Sequence, residues 1–179
     1  DAGEGSRPFP ISQKSDVRLD AIASDAVRSA GSFTQGQILE LEAPRPVIVE
    51  GDPDRLRQLI MILLDNAIRH TSPGGHVRVA VASGNGVARI AVRDDGEGIA
   101  AEHLPHLFER FYRADGARGR ASGGTGLGLA IARAICRAHD GEIEVRSSPG
   151  QGATFIATLP AGAALSAGAP QPITGTTNP

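Results

Sequence analysis

Four short stretches of the 179-residue chain hold side chains suited to chemistry. In "LLDNAIRHT", Asn66 follows Leu59 by seven residues and Leu63 by three, so it projects from an apolar helical stripe. A buried amide needs partners. Either it bonds neighbouring backbone, or it ligates a metal or phosphate at the edge of the core. Arg69 and His70 share that face and place donors beside it, while Asp65 points elsewhere and reads as solvated. In "VRDDGEGI", residues 92–99, a strand runs into Asp94 and then Gly96 and Gly98. The pattern fits a plain turn, or a carboxylate that accepts from the amino group of a base while the glycines let the ring approach. Calcium is disfavoured, because alternating oxygen ligands and a closing Glu at the twelfth loop position are missing.

The third stretch is "LPHLFERFYRADGARGRASGG", residues 104–124. Phe108, Phe111 and Tyr112 fall within five residues, and Phe108 and Phe111 are expected to pin the segment to the core. The small, polar residues that follow cannot bury anything and predict a mobile flap. It carries Arg110, Arg113, Arg118 and Arg120, whose forks suit phosphate capture, although a solvated loop would explain the last two equally well. The fourth stretch, "ASGGTGLGLAIARA", turns from glycine-rich to helical. It lacks the Lys-Ser/Thr of a Walker A loop, and its Gly124-x-Gly126-x-Gly128 spacing is not a dinucleotide fingerprint. Two readings survive: a structural hinge, or free backbone N–H groups at a helix start facing an anion.

These stretches need elements to position them. "DVRLDAIASDAVRSAG" predicts a first helix with Val17, Ile22, Ala26 and Ala30 near one face. "QILELE" and "PVIVEGD" read as short strands. Asp52-Pro53-Asp54 supplies an N-cap, a first-turn proline and an acid for a helix running to about His70. Val77, Val79 and Val81 alternate, "SGNG" turns the chain and "VARIAVRD" returns as a hairpin. A helix over about 126–139 ends on Gly141, which suits a left-handed cap, with His139 at the negative end of the helix. "EIEVRSS", "PGQG" and "ATFIATLP" close with a second hairpin. The order predicts an α+β fold, a two-layer sandwich with helices on one face of a mixed sheet.

Composition sets outer bounds. The chain is 40% hydrophobic with a net charge of −2, which gives no basic footprint for nucleic acid. Lys14 is its single lysine, so phosphate contacts would come from arginine. The lone Cys136 fits a reducing compartment and reads as a buried helix residue. His76, His103 and His106 read as ordinary polar or loop residues. The longest apolar run, "LIMILL", is far below the ~18 residues of a membrane span. Residues 1–15 and 161–179 are rich in small residues, Gly and Pro and are expected to be flexible tails around a domain over 16–160.

In order and spacing, the four stretches resemble the catalytic and ATP-binding domain of bacterial sensor histidine kinases. That domain belongs to the Bergerat-fold (GHKL) superfamily shared with gyrase B, the Hsp90 chaperones and MutL. "QLIMILLDNAIRHT" is similar to the family's N box, "VRDDGEGI" to its first glycine box, "LFERFYRAD" to its F box and "GGTGLGLAIARAI" to its second glycine box. The resemblance implies a five-stranded mixed sheet backed by three helices, with ATP held under a lid at about 109–125. It implies that Asn66 ligates Mg²⁺, and that Asp94 accepts from adenine with Gly96 and Gly98 allowing close approach. Arg69 and Arg113 would meet phosphate and His70 would flank the nucleotide. Gly124, Thr125, Gly126, Leu127 and Gly128 would form the end of the lid near phosphate.

One position departs from the family pattern. A second Asn is common four residues before Asn66, and the ATP-hydrolysing relatives have a Glu there; here it is Ile62. Ile62 offers neither ligand nor base, which disfavours direct hydrolysis. No histidine precedes the N box or has the acid-flanked setting of a phosphoacceptor. The resemblance therefore implies a fragment that transfers the γ-phosphoryl group to a histidine on a dimerisation domain outside this chain. It further implies a response-regulator partner and a cytoplasmic location within a membrane-associated homodimer. The alternatives are an ATP-binding sensing or interaction module of the same fold without catalysis, and an anti-sigma-factor-type serine kinase.

Overall fold

In the computed structural model, Ile11, residues 13–114 and residues 125–162 are described. The expected tails, except Ile11, residues 13–15 and residues 161–162, and the flap residues 115–124, including Gly124, Arg118 and Arg120, lie outside them.

The elements in chain order are β1 (Ser15–Arg18), α1 (Leu19–Ala30), β2 (Ile38–Glu42), β3 (Ile48–Gly51), α2 (Pro53–Arg69), β4 (His76–Gly84), β5 (Val87–Asp94), α3 (Gly128–Ala138), β6 (Glu142–Ser147) and β7 (Ala153–Pro160). A 3-10 turn covers Leu104–His106. The main sheet has five strands in the order β2-β4-β5-β7-β6; β2 and β4 are parallel and the other pairs antiparallel. The three helices pack on one face, with α2 between α1 and α3. This is the α+β sandwich that the sequence predicts.

Alternation builds the interface. Val77, Val79 and Val81 on β4, Ile90 and Val92 on β5, and Phe155 and Leu159 on β7 are all buried toward the helices. They meet the α2 stripe of Leu56, Leu59, Ile60, Leu63, Leu64 and Ala67. Cys136 packs in the same core, and burial pushes its thiol up to about 12, so it is no nucleophile at neutral pH.

Three local expectations are corrected. Residues Asp16–Arg18 are strand and not helix: β1 pairs with β3 in a separate two-stranded sheet, and the helix starts only at Leu19. Val17 is buried, but from that strand, and the α1 residues that face the core are Leu19, Ala23, Ala26 and Ala30, with Ile22 only partly buried. Pairing partners 30 to 34 residues downstream decided this, and helical periodicity is blind to them. At the end of α3 the left-handed residue is Asp140 (φ 57°), not Gly141. Gly141 is required instead because a Cβ there would run into the Thr158 carbonyl oxygen of β7.

His139 does more than sit at a helix end. Its ring is 3% exposed, with Nδ1 donating to the Ile135 carbonyl at 2.8 Å and Nε2 accepting the Asp52 N–H at 3.0 Å. That pattern requires the neutral ring with its proton on Nδ1, so His139 is a buried bridge and not a cation on the helix dipole. Asp52, as expected, caps α2 by accepting from Asp54 N and Arg55 N. The start of α2 is thereby tied to the end of α3. His139→Ala leaves a buried N–H unpaired and a void, and is expected to cost about 2–4 kcal/mol in urea unfolding. A loss below about 0.5 kcal/mol would mean the bridge is not structural.

Candidate functional site

The site forms where the C-terminal end of α2, the end of β5 and the start of α3 converge. Asp94, the last residue of β5, is 3% exposed. Its Oδ1 accepts the Gly96 N–H at 2.9 Å and the Ala153 N–H at 3.3 Å. Its Oδ2 accepts no hydrogen bond from the described residues. Burial is the main cause that raises the Asp94 carboxyl above the ordinary carboxylate range, and the two backbone donors oppose it.

The glycines after Asp94 allow contacts that no side chain would. A Cβ on Gly96 would run into the carbonyl oxygen of His70, and one on Gly98 (φ 73°) into that of Ser148. The loop after β5 is therefore clamped between the end of α2 and the turn between β6 and β7. Further bonds hold it there. Gly150 N donates to the Glu97 carbonyl at 2.7 Å, and Ile99 N donates to Ser147 Oγ at 2.8 Å. Asp95 Oδ1 accepts from His76 N at 2.9 Å, bracing the start of β4.

On α2, Asn66 is half-buried at the margin of the stripe, and its carboxamide bonds to none of the described residues. The neighbouring-backbone reading of Asn66 is thus not met; the amide stands open at the edge of the core. Arg69, the last helical residue, directs Nε to Asp65 Oδ2 at 3.0 Å. Asp65 is accordingly a partner for Arg69 and not merely solvated, a correction to its reading from sequence. His70 caps the helix, and its exposed ring places Nδ1 3.1 Å from Glu97 Oε1. Beside it, buried Thr71 donates to the Ala67 carbonyl at 2.7 Å.

The aromatic stretch divides in a way the sequence did not reveal. Phe108 is buried, meeting Phe155 edge-on at 6.3 Å with the Arg133 guanidinium 5.9 Å from its ring centre. Phe111 is not an anchor: it is 72% exposed and its backbone is left-handed at φ 64°. Tyr112 takes the anchoring role, packed on the core with its hydroxyl 2.7 Å from His103 Nδ1 and its ring 5.3 Å from that of His106. His103 and His106 thus do more than fill a loop. Phe111 N donates to the Gly126 carbonyl at 2.9 Å, so the two described margins of the flap are joined. Arg113 lies just past that junction and is exposed.

Thr125 is exposed, Gly126 is left-handed (φ 71°), Leu127 takes the N-cap position and Gly128 begins α3. Among the described residues no side chain caps this helix, and no acid lies in its first turn. Its opening N–H groups suit an anion. A Cβ on Gly128 would sit 3.4 Å from an Ile62 methyl, which places the start of α3 one helical turn from Asn66 on α2. Gly96 thus lies against His70 at the end of α2 and Gly128 against Ile62 one turn before Asn66, while Gly124 lies outside the described residues. Ala153 N and Ser147 Oγ are contributors that sequence reasoning missed; no local pattern signals a donor 59 positions away.

Residues 51–163 match the family model described as histidine kinase-, DNA gyrase B-, and HSP90-like ATPase. The chain belongs to this family. Among curated proteins it is 45% identical over 136 residues to the sensor histidine kinase YkoH of Bacillus subtilis (strain 168). It is 39% identical over 144 residues to the signal transduction histidine-protein kinase BaeS of Escherichia coli (strain K12). The matches take in 76% and 80% of this chain but only 30% and 31% of those proteins. Among solved structures, the mycobacterial sensor histidine kinase MprB matches with a TM-score of 0.73 at 26% identity, over 83% of this chain and 97% of that one. Full-length ShkA in complex with AMPPNP matches with a TM-score of 0.74 at 25% identity, over 86% of this chain and 32% of that one. YkoH, BaeS and MprB are histidine kinases by name, and the fold is that of histidine kinase catalytic domains.

The raised Asp94 carboxyl has a consequence for stability. Between the ~3.9 of an unfolded Asp and its higher folded value, the native state binds more protons than the unfolded one. Stability contributed by this group therefore falls as pH rises through that window. Asp94→Asn removes the effect while keeping an acceptor oxygen. The unfolding free energy of the wild type minus that of the variant is expected to fall as pH rises from about 4. Urea titrations across pH check this, and a difference that grows with pH would contradict it.

Proposed function

We propose that this chain is the ATP-binding catalytic part of a sensor histidine kinase, with its domain over about residues 16–160. In this reading the γ-phosphoryl group passes from ATP to a histidine on a dimerisation domain outside the chain, and then to a response regulator. The observation that carries the reading is Asp94: a buried carboxylate with one oxygen held by backbone and the other open, beside glycine backbone. Such an acceptor suits the exocyclic amino group of adenine. Membership of an ATPase family and similarity to sensor kinases support it.

The remaining groups fit the rest of the nucleotide. Among the described residues no group of three or more His, Cys, Asp or Glu could hold a metal. The open Asn66 amide instead fits Mg²⁺, which needs few protein ligands when phosphates and water complete its shell. When bound there, the ion would neutralise phosphate charge. Arg69, Arg113 and the opening N–H groups of α3 would hold the phosphates, and His70 would flank the nucleotide. Ile62 provides no base to activate water. Transfer to an outside histidine needs positioning and charge compensation more than a base. In that step the bond from the γ-phosphorus to its bridging oxygen breaks, an N–P bond forms on the imidazole and ADP leaves.

We place this part in the cytoplasm, within a membrane-associated homodimer. Among the described residues no helix is long and apolar enough to cross a membrane.

Asp94→Asn puts an amide beside the adenine amino group and is expected to weaken Mg·ATP binding in calorimetry by more than about 30-fold. Unchanged affinity would refute the adenine assignment. Asn66→Ala should weaken Mg·ATP binding about tenfold while sparing metal-free nucleotide binding. Radiolabelled ATP is expected to phosphorylate a supplied histidine-bearing helical domain. Binding without transfer would favour the sensing module, and acid-stable label on serine would favour the serine kinase.

A further inference from the structure

The face of the sheet opposite the helices carries a second set of donors. Along β5, exposed Arg89 and Arg93 alternate with buried Ala88, Ile90 and Val92, so the arginines point away from the helices. Register places Arg93 opposite Thr154 on β7, and Thr154 opposite Arg146 on β6. Adjacent strands lie ~4.8 Å apart, so the two arginine stems rise about 10 Å from each other with Thr154 between them. Two guanidinium side chains can close over one small group across that span.

On its other side Arg93 faces Arg78 of β4. Like charges directly opposed on one face of a sheet cost stability. Two of the three arginines are compensated. Arg78 donates Nε and Nη2 to Glu40 Oε2 at 3.1 and 3.0 Å, and Arg146 donates Nη2 to Glu144 Oε1 at 2.7 Å. No carboxylate among the described residues pairs with Arg93. A recess of about 260 Å³ opens here, lined by Arg93, Arg146, Thr154, Ser148 and Gln151 and by no acid. Ser147, also at its edge, is already engaged, donating to the Gly152 carbonyl at 2.6 Å.

We propose that this recess binds an oxyanion of phosphate type. Two arginines on opposite sides of Thr154 line it together with Ser148 and Gln151, and Arg146 keeps donors beyond the Nη2 that meets Glu144. A planar carboxylate is satisfied by a single fork; donors from several directions suit a tetrahedral group. The site is distinct from the nucleotide site, because Arg93 and Asp94 are consecutive strand residues and point to opposite faces.

The test follows the arginine side-chain NMR signals of Arg93 and Arg146, in the presence of saturating Mg·AMPPNP, as inorganic phosphate is added at constant ionic strength. A parallel titration without nucleotide shows whether the response depends on the other site. Saturable shifts at both arginines with phosphate, and not with acetate, are expected. Arg93→Gln and Arg146→Gln should each weaken phosphate binding about tenfold or more while leaving nucleotide affinity unchanged. Glycerol phosphate in a further arm separates sources: tighter binding than phosphate marks an organic monoester, weaker binding marks the free ion, and either supports the site. Non-saturable shifts, equal shifts with acetate, or phosphate binding that survives both substitutions would overturn the proposal.

Discussion

A carboxylate stripped of water must be compensated where it sits, and at Asp94 this requirement organises the whole end of the sheet. One of its two donors, Gly96 N, is local; the other, Ala153 N, arrives only when β7 has paired with β5. The turn before β7 must then lie against the loop after Asp94, and that loop must come close to the end of α2. Glycine at 96 and 98 permits both approaches. A polar group that is expensive to bury is thereby left with one acceptor oxygen open, which is the feature a base-recognising site needs.

Helix α2 carries the rest. Its start is fixed by the Asp52 cap and by the neutral His139 bridge from α3, and its length is held by an apolar stripe set on β4 and β5. Its last turn therefore presents Asn66, Arg69 and His70 at a defined place relative to Asp94. The contact of Gly128 with Ile62 sets the start of α3 beside the same turn. The described margins of the intervening segment meet where Phe111 N donates to the Gly126 carbonyl.

Much of this was legible in the sequence because its causes are local. The period-2 valines, the α2 stripe and the Asp-Pro cap each carry their reason within a few residues, and the four ordered motifs identified the family. What escaped has long-range causes. Residues 16–18 become strand because β3 offers a pairing edge, which outweighs their helical pattern. Phe111 looked like an anchor by hydrophobicity, yet with left-handed backbone bonded to Gly126 its side chain is exposed and Tyr112 packs on the core instead. Asp65 was read alone, although Arg69 one turn later was available as its partner. The Ala153 donor to Asp94 could not be found without the sheet register.

In the proposed function adenine is read by the open oxygen of Asp94, with the phosphates at Asn66 and the start of α3. A crystal structure of this chain with Mg·AMPPNP tests that most directly. The adenine amino group is expected within hydrogen-bond distance of Asp94 Oδ2 and the metal on the Asn66 amide oxygen. A nucleotide bound elsewhere, or one whose base does not touch Asp94, would contradict it.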